Sequence, residues 1–259
     1  MYNLLSRSLV ILGGLLAAPV PANAAPIVFS GAGTNAASIQ GVVDSYRAAL
    51  GSNRREIDWD GGGLQTTTNA GTPFNGFLNS EGVLFMTPGS GFIQATPDGL
   101  VSINPTYGGF ETFSPFRLFT PVASNITDVL FYTPGSNGAN AVTISGFGAI
   151  FSDVDLVATT SLQYFDPNGN QLGTFFASPL GDGLSFLGVL FDGGELVSRV
   201  RITTGTTVLG QNDGSGTDVV VMDNFIYAIP QADRTVPEPA TWLLLGIGLA
   251  GFYWRKQKA

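Results

Sequence analysis

The chain has 259 residues, with 35 glycines, 15 prolines, no cysteine and no histidine. Lys and Arg number 11 against 19 Asp and Glu, a formal charge of −8; such a surface disfavours nucleic-acid phosphate and anionic lipid as partners. Without His or Cys there is no Ser-His-Asp triad, no thiol nucleophile, no ordinary zinc site and no disulfide, so the chain reads as a non-enzymatic protein with no catalytic residues.

Residues 1–24 come first. Arg7 precedes an apolar stretch from Leu9 to Ala18, and Ala22-Asn23-Ala24 supplies a small-x-small cleavage site. This is the pattern of a secretory signal helix, which implies Sec export and a mature chain starting near Ala25. Residues 25–231 are then read as one domain, long enough to bury a substantial core. Between Ala25 and Val236 seven arginines, and no lysine, face eighteen acidic residues.

Ala36 to Leu50 is the one helix candidate in this domain. Ile39, Val42, Val43, Tyr46 and Leu50 recur at helical spacing, and Gly51 supplies a stop. Asn53 to Asp60 reads as a strand running into the Gly61-Gly62-Gly63 loop. Short apolar runs follow, punctuated by turn residues: Val83–Met86, Gly91–Ala95, Leu100–Ile103, Val129–Tyr132, Ala141–Ile144, Ala149–Phe151, Thr160–Phe165, Leu172–Ala177, Ser185–Phe191, Val197–Thr203 and Val219–Ala228. Runs spaced by roughly 8–12 residues predict an antiparallel β-sandwich, and the absence of intervening helices argues against βαβ units. The clearest hairpin joins Leu162–Phe165 to Leu172–Phe176 through Asp166-Pro167-Asn168-Gly169-Asn170.

Any chemistry must rest on carboxylates. Asp58-Trp59-Asp60 and Asp153-Val154-Asp155 each place two at i and i+2, on the same face if extended and about 6–7 Å apart. A carboxylate-based glycan hydrolase is one reading of such pairs. Calcium fits better, because it takes hard oxygen ligands and loop-borne Asp and Asn abound. Asp153, Asp155 and Asp223 are the candidate ligands of a structural Ca²⁺. Trp59 and Tyr107 are the candidates for stacking on sugar rings. Phe110, Phe113, Phe116 and Phe119 recur at intervals of three and read as core.

The tail is the most specific segment. Residues 232–236 read as a linker and 237–259 as a sorting signal. Val236-Pro237-Glu238-Pro239 precedes an apolar run from Ala240 to Trp254, and Arg255, Lys256 and Lys258 close it. That run gives roughly 22 Å of helix, enough for a transmembrane helix if the bilayer thins and the terminal cations snorkel. Cations there keep that end cytoplasmic. Motif, apolar run and basic end together resemble the PEP-CTERM sorting signal of Gram-negative bacteria. The resemblance implies recognition by an exosortase, a transient anchor in the inner membrane, and a destination at the cell surface or in an exopolysaccharide-rich matrix or biofilm. From Ile144 to Ile229 the strand pattern also resembles the jelly-roll domains attached to such signals, which are similar to carbohydrate-binding modules. The expectation is a mainly β, jelly-roll-like sandwich with one short N-terminal helix, exported and non-enzymatic. Its partners are an exosortase, the inner membrane and exopolysaccharide, and not nucleic acid. A calcium-stabilised carbohydrate-binding module is the alternative.

Overall fold

A computed structural model describes residues 25–52, 54–60, 67–214 and 216–229. The signal helix, the linker and the C-terminal transmembrane helix expected from the sequence lie outside these residues. Among the described residues no helix is long and apolar enough to cross a membrane.

Strand β1 (Ile27–Gly33) leads to helix α1 (Ala36–Leu50), then to β2 (Arg54–Ile57), β3 (Val83–Met86), β4 (Gly91–Ala95), the short helix α2 (Pro97–Val101) and a 3-10 turn over Pro105–Gly109. Eight strands follow: β5 (Leu118–Val122), β6 (Ile126–Phe131), β7 (Gly146–Val154), β8 (Ser161–Phe165), β9 (Gln171–Phe176), β10 (Leu180–Leu190), β11 (Arg199–Thr203) and β12 (Val221–Ala228). The larger sheet has the order β1-β10-β7-β12-β5-β4, with β2 also pairing with β12; the smaller has the order β3-β6-β11-β8-β9. All these pairings are antiparallel. From β5 onward, consecutive strands alternate between the sheets except at the β8–β9 hairpin. The chain is therefore mainly β and forms an antiparallel sandwich.

The two sheets meet over an aromatic core. Phe147, Phe151, Phe225 and Tyr227 come from the larger sheet, and Phe85, Phe131, Leu162, Tyr164, Val200 and Ile202 from the smaller. The larger sheet is covered on its outer face as well. Ile39, Val43 and Tyr46 of α1 pack on Ile150, Phe186 and Ile226. Leu100, Tyr107 and Phe110 cover Ile93, Leu118 and Val221. Every residue of β7 and β12 is consequently buried, so both are mostly apolar, with Ser152, Asp153, Asp223 and Asn224 as their buried polar residues. The smaller sheet has a wet outer face, and β6 alternates between half-buried and buried. There Asp128 pairs with Arg199 and Arg201, while the Arg199 guanidinium stacks 3.7 Å from the Phe165 ring centroid. A partly solvated pair of this kind, at the sheet surface, contributes on the order of 1 kcal/mol.

Helix α1 forms where the periodicity predicts. The Asn35 side chain accepts from Ser38 N at its start, and Gly51 ends it at φ 82°. It lies in a trough of glycines. A Cβ on Gly148 would sit 2.9 Å from both Gly188 Cα and Tyr46 Cε1, and one on Gly31 would sit 2.9 Å from Val42 Cγ1. The missing side chains let Tyr46 lie flat on the sheet. The 162–176 hairpin also forms as expected. Asp166 Oδ1 accepts from Asn168 N and Asn170 N, and Gly169 takes φ 81°.

Some local expectations are corrected. Leu100 and Val101 belong to a helical turn, because Pro97 opens it and Thr96 Oγ1 accepts from Gly99 N. Residues 141–144 make only isolated bridges, Tyr132 with Ala141 and Ile144 with Val197. Strands β1 and β5 carry no clear alternating signal. Of the four periodic phenylalanines, Phe110 and Phe119 are core, whereas Phe116 is 71 % exposed.

The glycine trough gives a test. Valine favours strands, so propensity alone predicts that Gly148→Val stabilises. Steric conflict with Tyr46 predicts a loss of about 1–3 kcal/mol, measured from the midpoint of urea unfolding.

Candidate functional site

One end of the sandwich gathers the acidic loops. Strand β7 delivers Asp153, which adopts φ 67°, a conformation Asp tolerates better than most residues. Its Oδ1 accepts from Asp182 N at 2.7 Å. Asp155 follows, exposed, at the start of the 155–160 loop. Asp213 arrives from the long β11–β12 connection. Its N–H donates to Thr106 Oγ1 at 3.0 Å, and its Oδ1 accepts from Val219 N at 2.8 Å. The connection is docked on the 3-10 turn. Tyr107 Oη donates to Gln211 O and accepts from Gly210 N, each at 2.7 Å, and Asn104 Nδ2 donates to Asn212 Oδ1.

This framework places one carboxylate oxygen each of Asp153, Asp155 and Asp213 within 4.8 Å of one another. Oxygens sharing a Ca²⁺ at 2.3–2.6 Å can be at most about 5.2 Å apart, so the spacing suits one ion with positions left over. Burial pushes the Asp153 carboxyl up to about 7, with Asp213 and Asp155 adding like-charge repulsion, against the opposing hydrogen bond from Asp182. Asp155 is raised too, by desolvation and then by Asp213, Asp218 and Asp182. Asp218 serves the backbone: it accepts from Asp155 N, Leu156 N and Thr159 Oγ1. The six described arginines are engaged elsewhere, so among the described residues no guanidinium neutralises the cluster. The chemistry on offer is cation binding by hard oxygens.

Two of the three expected ligands, Asp153 and Asp155, are thus brought together. Asp223 is not with them. It sits in the irregularity of β12 between Met222 and Phe225, fully buried. Its Oδ2 accepts from Phe113 N at 2.7 Å and Ser114 N at 3.3 Å, and its carbonyl accepts from Trp59 Nε1 at 2.8 Å. Asp223 pins the 113–117 segment and Trp59 to the sheet. Asp213 takes the place expected of Asp223. Sequence shows it only as one more loop aspartate, 58 positions beyond Asp155, and only the docking of Gln211 and Gly210 on Tyr107 brings it round.

The sugar-stacking expectation is corrected as well. Trp59 and Tyr107 are both fully buried. Trp59 stacks 3.7 Å from Phe119, edge-on to Phe77 and Phe225, and Tyr107 stacks on Phe110. Neither ring face is open to a ligand. The Asp58/Asp60 pair holds chain too: Asp58 Oδ1 accepts from Asp60 N, and the Asp60 carboxylate accepts from Phe116 N and Arg117 N.

The buried carboxyls set a pH profile. Burial pushes Asp223 up to about 7 against hydrogen bonds from Phe113 and Ser114, while an unfolded Asp titrates near 3.9. The folded state then holds more protons between about pH 4 and 7, so stability is full below that window and falls as pH rises through it. Asp128 works the other way. Burial raises it, but Arg201 and Arg199 outweigh that and lower it, so its contribution is lost only in stronger acid. The Asp223→Asn variant is expected to flatten the fall between about pH 4 and 7, read from urea midpoints across that range.

The curated proteins contain no match to this chain. A family model, the PEP-CTERM protein-sorting motif, matches residues 235–258, the segment containing Val236, Pro237, Glu238, Pro239 and the cations Arg255, Lys256 and Lys258. The chain carries a PEP-CTERM sorting motif, the mark of an exosortase-processed protein exported to the cell surface or extracellular space.

Proposed function

We propose that the chain is a non-enzymatic component of the cell surface or of an exopolysaccharide matrix, held transiently in the inner membrane by residues 237–259 before release. The sorting motif beside a self-contained sandwich is the observation that carries this reading. The use of carboxylates supports the non-enzymatic part. Asp58, Asp60, Asp218 and Asp223 each accept backbone N–H groups, which leaves them holding loops together. The intact mass of the protein recovered from its native host tests the proposal. Loss of residues 1–24 and of most of 235–258 is expected; a full-length chain in a host with active exosortase contradicts it.

A second reading is a calcium-stabilised carbohydrate-binding module, and the Asp153/Asp155/Asp213 cluster favours it. The strand order β5-β12-β7-β10 over β6-β11-β8-β9 supports the jelly-roll reading, an architecture found among lectin domains. Fold alone does not assign a ligand. With Trp59 and Tyr107 in the core, glycan contact would fall to hydroxyls completing the coordination of an ion on the three aspartates. Calcium at a hundredfold its Kd should stabilise the fold by about 2.7 kcal/mol and raise Tm by several degrees. Asp153→Asn and Asp213→Asn should abolish the shift, and Asp223→Asn should retain it. The shift should shrink below pH 6, because binding requires Asp153 ionised. Calorimetry with Ca²⁺ and with chelator measures it, and a chelator-insensitive Tm at pH 7.5 excludes the ion.

A further inference from the structure

At the other end of the larger sheet lies a cleft of about 400 Å³. Ala49 of α1, Ile144, Leu190 and Leu196 give it apolar walls, and Asp192 and Glu195 are the charged residues of its lining. Gly194 turns the chain between them at φ 96°. Among the described residues, Glu195 Oε2 is enclosed without a hydrogen-bond partner, a costly state for a carboxylate oxygen. The described arginines are committed elsewhere, and residues 25–252 contain no lysine.

The cation that fits comes from strand β1. It is an edge strand, pairing with β10 in the register Ile27↔Leu190 and Val28↔Val189. The ladder ends at Ile27↔Leu190, with Ala25 and Pro26 running on outside the strand; two further steps of the same register would bring Ala25 level with Asp192. Ala25 is the residue expected to become the N-terminus when the signal segment is removed.

We propose that this removal creates a docking group: the new α-ammonium of Ala25 seats against the carboxylates of Asp192 and Glu195 and fastens the free end of β1 at the mouth of the cleft. The unprocessed chain has a peptide nitrogen at that position, with no charge to offer. Export thereby completes the edge of the larger sheet, which ties strand closure to leaving the cell. The inference rests on the export reading and on cleavage after Ala24.

The composition makes it testable. In the exported chain the α-amine is the sole primary amine before Lys256. An amine-reactive acylating reagent, with labelling read by mass on the N-terminal peptide, therefore reports its titration directly. An unpaired α-amine titrates near 7.7–8.0, and each unit of upward shift slows labelling tenfold at neutral pH. Labelling at pH 7.5 is expected to be roughly three- to tenfold slower than for a free peptide amine, and to recover in the Asp192→Asn, Glu195→Gln double variant. Inserting one residue after Ala24 moves the amine to the opposite face of the strand, and should also restore ordinary labelling with both carboxylates intact. A wild-type amine that titrates like a free peptide, or variants that keep the wild-type profile, overturn the pairing. An N-terminal peptide that begins elsewhere than Ala25 overturns the cleavage premise, and the same mass spectrum distinguishes the two.

Discussion

Burial of the larger sheet on both faces is the constraint from which most of the structure follows. Strands β7 and β12 run between the smaller sheet on one side and α1 or the 97–113 segment on the other. Both faces of these strands are then mostly apolar, alternation between apolar and exposed polar residues disappears, and the few polar residues they carry are buried. Helix α1 can approach closely only where the sheet presents backbone, so Gly148 and Gly188 face each other beneath Tyr46. With no disulfide available, this packing must supply most of the favourable free energy of the fold.

Polar groups trapped by that burial organise the loops. Asp223 would be an unsatisfied charge inside the sheet, and it is satisfied by drawing in Phe113 N, Ser114 N and, through its carbonyl, the Trp59 indole. Asp218 does the same for residues 155–159. The acid-rich end differs in kind. Asp153, Asp155 and Asp213 converge with no described arginine among them, and their like charges add to burial in raising Asp153 and Asp155. The same surplus of acid over base leaves Asp192 and Glu195 in search of a positive group at the opposite end.

Much of this architecture is legible in the sequence, for definite reasons. The 36–50 helix shows because Ile39, Val43 and Tyr46 keep a clean period with Gly51 at its end. The 162–176 hairpin shows because Asn168-Gly169 marks its turn. Strand β1 stays hidden because its glycines, placed for contact with α1, erase the alternating signal. The turn at 97–101 hides because Leu100 and Val101 look like strand residues, while the capping Thr96 acts one step earlier. The site is half legible. The i, i+2 spacing of Asp153 and Asp155 declares itself locally. Asp213 joins them through hydrogen bonds between the 209–213 loop and Asn104, Thr106 and Tyr107, a long-range docking that no local pattern reports. Trp59 and Tyr107 mislead for a related reason: flanking acids and glycines suggest a surface loop, whereas both rings seal the core and spend their polar atoms on backbone.

Native-state hydrogen exchange on the full chain tests the two-sided burial most directly. Amides of β7 and β12 should exchange only through global unfolding, while those of the edge strand β9, whose residues are only half-buried or exposed, should exchange by local opening. Exchange in β7 as fast as in β9 would show that the larger sheet is not enclosed, and would contradict the account.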